Sequence, residues 1–132
     1  MTAGQRVRRR LAMVFWKTFN PLARRLAGIA PFWIVIETTG RRTGRPRHTP
    51  LARGPEDGAG MWLIAVHGTH SAWVRNLQAN AAVRVKARRR WRDATASVAA
   101  MDPDVVRRFS RYAQAGPRTF GIEPVLVRLD WS

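Results

Sequence analysis

Arginine, threonine and glycine are concentrated in one short stretch of the chain. Residues 38–47 contain four arginines, three threonines and two glycines. Arginine offers a planar fork of donors that pairs with phosphate through parallel hydrogen bonds, and glycines let successive backbone amides form an anion-binding nest. A solvated hairpin turn is the alternative, but it needs neither the glycines nor the clustered arginines. This stretch, called the Arg turn below (residues 39–47), therefore predicts a site for a phosphate-bearing small molecule.

A second segment, residues 65–77, joins the end of a strand to the start of a helix through a glycine-containing loop. Ser71 is a good N-cap, and Trp73, Val74 and Leu77 share one helical face. The first amides of a helix have no partner within the helix and carry the positive end of its dipole. The segment is therefore predicted to present donors to an anionic or carbonyl-rich ring.

Other catalytic chemistries have little support in the sequence. His67 and His70 have no third ligand close to them, so no metal site is predicted. Ser71 has His70 beside it, but neither a G-x-S-x-G elbow nor an evident carboxylate completes a triad. The chain has no cysteine, and most of its eight acidic residues occupy turns and caps. If the protein is an enzyme, a bound cofactor is expected to perform the difficult step.

The charge of the chain favours anionic partners. Its 132 residues include 24 basic and 8 acidic side chains, a formal net charge of +16. Such an excess attracts nucleic acid, anionic lipid or phosphorylated small molecules. Residues 88–92, four arginines around Trp91, are the best segment for a non-enzymatic nucleic-acid-binding module, and exposed charges in a hairpin turn are the alternative. The absence of cysteine fits a reducing cytoplasm, the expected location.

Residues 1–30 are predicted to form a basic amphipathic helix. Apolar residues recur there at helical spacing, with arginine and lysine on the flank of the apolar stripe, and Pro21 either kinks the helix or divides it in two. Such a helix covers the core or contacts an anionic membrane, so a peripheral position at the inner face of the cell membrane is a further expectation. No stretch reaches the roughly 20 apolar residues that span a bilayer, and no export signal is predicted.

The rest of the chain, residues 31–132, is predicted to form one domain. Apolar alternation and turn signals predict strands at residues 32–39, 47–53, 61–66, 83–88, 91–101 and 123–131, and helices at 71–80 and 102–115. The hairpin connections and the lack of a βαβ rhythm favour an antiparallel barrel or sandwich. The expected fold is therefore α+β, with about six mostly antiparallel strands and three helices.

Two segments of the chain, residues 38–51 followed by residues 73–80, resemble the deazaflavin-dependent nitroreductase family of actinobacteria, whose members use coenzyme F420. The likeness lies in TTGRRTGRPRHTPL (residues 38–51) and WVRNLQAN (residues 73–80), and the order of elements matches over nearly the whole chain. The resemblance implies a split β-barrel of the flavin-reductase type. It also implies hydride transfer from the reduced deazaflavin to a small activated acceptor, either an enone, a quinone or a nitro compound. The same barrel using FMN is the alternative.

The family's motif positions imply a set of site residues. The positions matching those for the cofactor's phosphate and polyglutamate tail are Arg41, Arg42, Thr43 and Arg47, and the cofactor-binding set also includes Thr49 and Pro50. The positions matching the loop and helix start beside the ring are Ala65, Val66, His67, Gly68, Thr69, Trp73, Val74, Asn76 and Leu77. Tyr112, His67, His70 and Ser71 are the side chains expected to protonate the product, unless solvent does so. Split barrels often pair through exposed strands, so a homodimer is expected.

Overall fold

A computed structural model describes residues 33–110, 113–114 and 121–132. Over these ranges the chain forms six strands: β1 Trp33–Thr39, β2 Pro46–Ala52, β3 Gly60–Ala65, β4 Ala82–Ala87, β5 Arg90–Ala99 and β6 Val125–Trp131. The same ranges contain helices α1 Ala72–Ala79 and α2 Pro103–Val106, and a 3₁₀ turn at Gly68–His70. All six predicted strands are confirmed, with small shifts at their ends. The predicted N-terminal helix (1–30) lies outside the described residues.

All six strands pair in one antiparallel sheet, in the order β2-β1-β4-β5-β6-β3. The sheet curls into a half-barrel whose edge strands are β2 and β3. Each inner strand pairs with a neighbour on both sides, although β1 and β4 pair over only three residues, and the curl lets one face enclose a core. The fold is the predicted α+β split β-barrel.

Alternation along the strands gives the sheet one apolar inner face. In β1, Ile34 and Ile36 are fully buried, and Thr38, next in the same series, is 1% exposed. Successive side chains of a strand point to opposite faces, so this register fixes which residues enter the core. The other strands contribute Leu51, Met61, Leu63, Ala65, Val83, Val85, Ala94, Ala96, Val127 and Leu129 to the same core.

Helix α1 closes this core and begins where the sequence predicts. Trp73, Val74 and Leu77 are buried and pack into the core beneath the helix. Ser71 occupies the N-cap position, although within the described chain its side chain makes no capping hydrogen bond. Among the described residues no helix is long and apolar enough to cross a bilayer.

The predicted helix at residues 102–115 is interrupted, since helical backbone occurs at residues 103–106 and again at 113–114 with turns after the first stretch. Asp102 caps α2 as expected, by accepting a hydrogen bond from the backbone N–H of Asp104, but α2 ends at Val106. Beyond it, the N–H groups of Arg108 and Phe109 donate to the carbonyls three residues earlier, those of Val105 and Val106. Phe109 is thereby carried into a second apolar cluster with Leu126, on the outer face of the sheet. Tertiary packing of Phe109 overrides the local helical pattern.

The strand directions place the two predicted site segments at one end of the sheet. The ladder sets Glu37 of β1 opposite Arg84 of β4, so β1 ends where β4 begins. Ala65, the last residue of β3, pairs with Val125, the first residue of β6. Helix α1 connects β3 to β4 and so begins and ends there too; this end is called the α1 end below. The β4–β5 hairpin lies at the opposite end.

Candidate functional site

The Arg turn is closed by its own backbone. The N–H of Gly40 donates to the carbonyl of Arg45 at 2.8 Å, and the N–H of Gly44 donates to the carbonyl of Gly40 at 2.7 Å. Gly44 has φ +70°, a conformation that residues with a side chain rarely adopt. All eight residues from 41 to 48 are exposed. The turn is therefore a compact backbone support that presents side chains to solvent.

The cations of this turn are not neutralised within the described structure. Arg42, Arg45 and Arg47 are exposed, and no carboxylate of the described residues lies within ion-pair distance of them. The nearby Glu37 is engaged elsewhere, with its carboxylate 2.7 Å from His48 Nε2 and 3.5 Å from a guanidinium nitrogen of Arg84. A group of guanidinium forks without acidic partners fits a polyanionic ligand.

Asn76 ties the Arg turn to helix α1. Its Oδ1 accepts from the backbone N of Arg41 at 3.2 Å and from Nη1 of the same residue at 2.9 Å. Its Nδ2 donates to Oγ1 of Thr38 at 3.3 Å. Asn76 is 3% exposed, so its amide is occupied inside the protein. The structure thus shows Asn76 bracing the Arg turn.

The loop after β3, residues 66–70, packs against the segment that leads into β6. The carbonyl of Val66 accepts from the N–H of Ile122 at 3.0 Å. Gly68 has φ +54°, and a Cβ at this position would lie 2.1 Å from the carbonyl oxygen of Glu123. The carbonyl of Thr69 accepts from Nε of Arg75 in helix α1 at 2.8 Å. The loop is therefore held on one side by the Ile122 segment and on the other by α1.

The residues expected to protonate the product have different surroundings. His70 Nε2 lies 3.2 Å from a carboxylate oxygen of Glu123, whereas His67 and Ser71 are half-buried in the loop and at the helix start. Tyr112 lies outside the described residues. No group of three metal-ligating side chains occurs in the part of the chain that the structure describes.

The structure divides the remaining predicted residues between surface and core. Thr43 and Thr69 are exposed, and Thr49 is half-buried. Pro50 and Ala65 are buried. The side chains of Trp73, Val74 and Leu77 point into the core, so their direct contribution is to anchor α1.

Three residues of the site were missing from the sequence-based set, and one of them, Arg45, is an exposed cation of the Arg turn. Arg75 holds the carbonyl of Thr69, and Thr38 accepts from Asn76. The sequence carries a signal for Thr38, because it continues the buried series of Ile34 and Ile36 and a polar side chain on a buried face needs a partner. Arg75 carries no such signal, since an exposed arginine on a helix is ordinary.

A cleft adjoins the Arg turn where β1 and β4 diverge beyond the Glu37–Arg84 pair. Its volume is about 430 Å³, within the range of small-molecule sites. Thr39, Gly44 and Pro46 line one wall of the cleft. The turn therefore has an open groove beside it as well as an exposed outer surface.

The tip of the basic hairpin at residues 88–92 lies at the opposite end of β4 from the Arg turn. Arg88 and Arg89 form its tip, with φ of 51° and 68°. The ring of Trp91 is covered by the guanidinium of Arg84, whose central carbon is 4.6 Å from the ring centroid, and His48 packs at 5.5 Å. A base would need that ring face for stacking. The hairpin thus offers charge without an open aromatic platform.

The half-barrel, with a cationic turn and a braced loop at one end of its sheet, defines a split-barrel protein. A family model described as F420H(2)-dependent quinone reductase matches residues 7–121, and the chain belongs to this family. It is therefore a deazaflavin-dependent oxidoreductase, as the resemblance implied.

Solved structures share the fold. A structure described as an F420-H2 dependent reductase (FDR-A) is 26% identical, with a TM-score of 0.54, over 74% of this chain and 93% of that chain. The heme storage protein HutZ from Vibrio cholerae is 19% identical, with a TM-score of 0.57, over 77% of this chain and 82% of its own. A structure described as a domain-swapped dimer is 22% identical, with a TM-score of 0.55, over 89% and 98%. A search of curated proteins gave no match. The comparisons give no support to FMN as the cofactor.

Proposed function

We propose that the protein binds coenzyme F420 at the α1 end of the sheet and uses its reduced form to reduce a small activated acceptor, either a quinone, an enone or a nitro compound. The observation that carries the proposal is the joining of the two predicted segments by one helix. Arg75 of α1 holds the loop after β3, and Asn76 of the same helix holds the Arg turn. A ligand with an anionic tail and a planar ring finds a complementary segment for each part.

The donors present fit the cofactor. Its phosphate and polyglutamate tail are anionic, and Arg42, Arg45 and Arg47 are exposed cations to which the described residues offer no acidic partner. Arg41 is oriented by Asn76 and so presents its remaining donors from a fixed position. We assign the tail to the Arg turn, with Thr43 and Thr49 beside it; the buried Pro50 supports strand β2 behind them. When bound, the reduced deazaflavin supplies the hydride.

The roles of the chain's own residues at the ring follow from the loop after β3. Residues 65–69 are held against Ile122 and Arg75, so their backbone groups form a preorganised wall for a ring. His67, Ser71 and Tyr112 are the side chains to which we assign proton delivery to the reduced acceptor. His70 Nε2 lies 3.2 Å from a carboxylate oxygen of Glu123, and this contact orients its ring.

The test is a fluorescence titration with F420 using two double variants of equal charge. Arg42→Ala with Arg47→Ala removes two cations at the Arg turn, and Arg88→Ala with Arg89→Ala removes two at the far hairpin. A charged hydrogen bond contributes about 1.5–3 kcal/mol, and exposed groups take the low end, so the first variant should weaken binding about a hundredfold. The second should bind nearly as wild type. Equal losses in both variants, or no micromolar binding by the wild type at modest salt, would contradict the proposal.

Assembly and location complete the proposal. A domain-swapped dimer among the similar structures supports a homodimer, which light scattering of the purified protein tests: a monomer mass at micromolar concentration would contradict it. The basic residues 1–30 are assigned to the inner face of the membrane, and sedimentation with vesicles containing anionic lipid tests this assignment. A truncated chain starting at residue 31 should stay in the supernatant.

A further inference from the structure

Neighbouring residues of helix α1 hold the two halves of the proposed site. Arg75 donates from Nε to the carbonyl of Thr69 at 2.8 Å, which fixes the loop after β3. Asn76 accepts from the backbone N and from Nη1 of Arg41 at 3.2 and 2.9 Å, which fixes the Arg turn. One turn of one helix therefore sets the distance between the two segments.

The brace is stiff because it is buried. Asn76 is 3% exposed and Thr38 is 1% exposed, and an amide at such depth loses free energy if either of its ends is left without a partner. Both ends are satisfied, Oδ1 by Arg41 and Nδ2 by Thr38. Val74 and Leu77, on either side of Asn76 in the helix, are 0% and 2% exposed. Neither the helix nor the amide can shift without disturbing the core.

We infer that α1 acts as a spacer that determines cofactor selectivity, with Asn76 and Arg75 as its positioning residues. This inference rests on the proposed function. A ligand that carries a ring and a phosphate at the matching separation engages both segments at once, and the second contact then benefits from the first. A ligand with the ring alone engages only the loop. The spacer thus favours the phosphate-bearing deazaflavin over the same ring without its tail.

The inference separates Asn76 from a residue that binds the cofactor directly. Its amide has no free hydrogen-bonding end directed at solvent, so it acts through Arg41. Loss of the brace leaves every arginine of the Arg turn in the chain but frees the turn to move. Preorganisation is then lost although the charge is unchanged. The effect should fall on ligands that use the turn and spare those that do not.

The experiment measures dissociation constants for two probes, F420 and the same deazaflavin without the phosphate tail, by ring fluorescence. Asn76→Ala should weaken F420 about tenfold, the effect of one charged hydrogen bond, and change the tail-less probe by less than about twofold. Arg75→Ala should weaken both probes, because it loosens the loop that faces the ring. Gln78→Ala, an exposed change on the same helix, should alter neither.

The outcomes distinguish this inference from the proposed function. If the wild type binds F420 and Asn76→Ala weakens both probes equally, the residue is only structural and the spacer is refuted. If Asn76→Ala weakens neither probe, the spacer is also refuted. If the wild type fails to bind F420, the proposed function fails and the spacer fails with it. Should Asn76→Ala not fold, Thr38→Val serves instead, because it removes the acceptor of Asn76 Nδ2. It should lower the affinity for F420 relative to the tail-less probe, by a smaller factor than Asn76→Ala.

Discussion

Gly68 is the position where a single methyl group should most disturb the loop beside the proposed ring site. Its φ is +54°, and a Cβ there would lie 2.1 Å from the carbonyl oxygen of Glu123, which is backbone and cannot swing away. A left-handed conformation costs a residue with a side chain about 1–2 kcal/mol. Overpacking against fixed atoms adds about 1–3 kcal/mol. Gly68→Ala should therefore lower the free energy of unfolding by about 2–5 kcal/mol.

Two other glycines separate these contributions. Gly44 has φ +70° but no described atom within 4 Å of its added Cβ, so Gly44→Ala should show the backbone cost alone, about 1–2 kcal/mol before the smaller gain from a stiffer unfolded chain. Gly58 likewise has open space among the described atoms and no positive φ, so Gly58→Ala should be neutral or stabilise by up to about 1 kcal/mol.

The assay is equilibrium denaturation in urea with each variant measured beside the wild type. The expected order of unfolding free energies is Gly58→Ala highest, then Gly44→Ala, then Gly68→Ala. Gly68→Ala should also weaken the tail-less deazaflavin, because the loop must move away from Glu123. A Gly68→Ala variant no less stable than Gly44→Ala would refute the reasoning, since the contact with Glu123 would then carry no cost.

Two further predictions concern residues outside the proposed site. The hydrogen bond from Arg128, followed by those from the backbone of Ala59 and Gly60, lowers the pKa of Asp57. Because this pKa is lowered in the folded protein, the ionised carboxylate contributes stability at pH values above the unfolded pKa of about 3.9, and this contribution is lost as pH falls through the folded pKa. The difference in unfolding free energy between wild type and Asp57→Asn should therefore shrink below about pH 4 and stay constant above about pH 5 in thermal melts. At the hairpin tip, two arginines with positive φ occupy positions where Asn-Gly is preferred. Replacing residues 88 and 89 by Asn and Gly should raise the unfolding free energy by about 1 kcal/mol, and a loss of stability in urea denaturation would show that the arginines make compensating contacts.

The strands were predictable because the alternation of apolar and polar residues along a strand indicates which side chains are buried. In β1, Ile34 and Ile36 give the inner face and its register, and the turn glycines mark where the strand reverses. Helix α1 was predictable for the same reason, since its cap position and its apolar face agree. The interruption of the predicted 102–115 helix after Val106 was not predictable, because the chain there follows the packing of Phe109 against a strand encoded far away in the sequence.

The site was predictable as two segments and not as one assembly. Each segment has a local signature, the glycines and arginines of the Arg turn and the loop before α1. The two segments are joined by the hydrogen bonds of Asn76 to Arg41 and to Thr38, whose sequence separations are 35 and 38 residues. No local pattern indicates a pairing over such a separation. For the same reason Asn76 was expected to face the cofactor, whereas the structure shows its amide bound to Arg41 and Thr38.

Acceptor-dependent oxidation of F420H2 tests the central claim most directly. The wild-type protein is mixed anaerobically with F420H2 and a soluble quinone, and the return of the oxidised deazaflavin's absorbance is followed against a reaction without protein. The account predicts turnover in proportion to protein, greatly reduced by Arg42→Ala with Arg47→Ala and retained by Arg88→Ala with Arg89→Ala. Oxidation no faster than in the protein-free reaction, or equal rates in the two double variants, would contradict it.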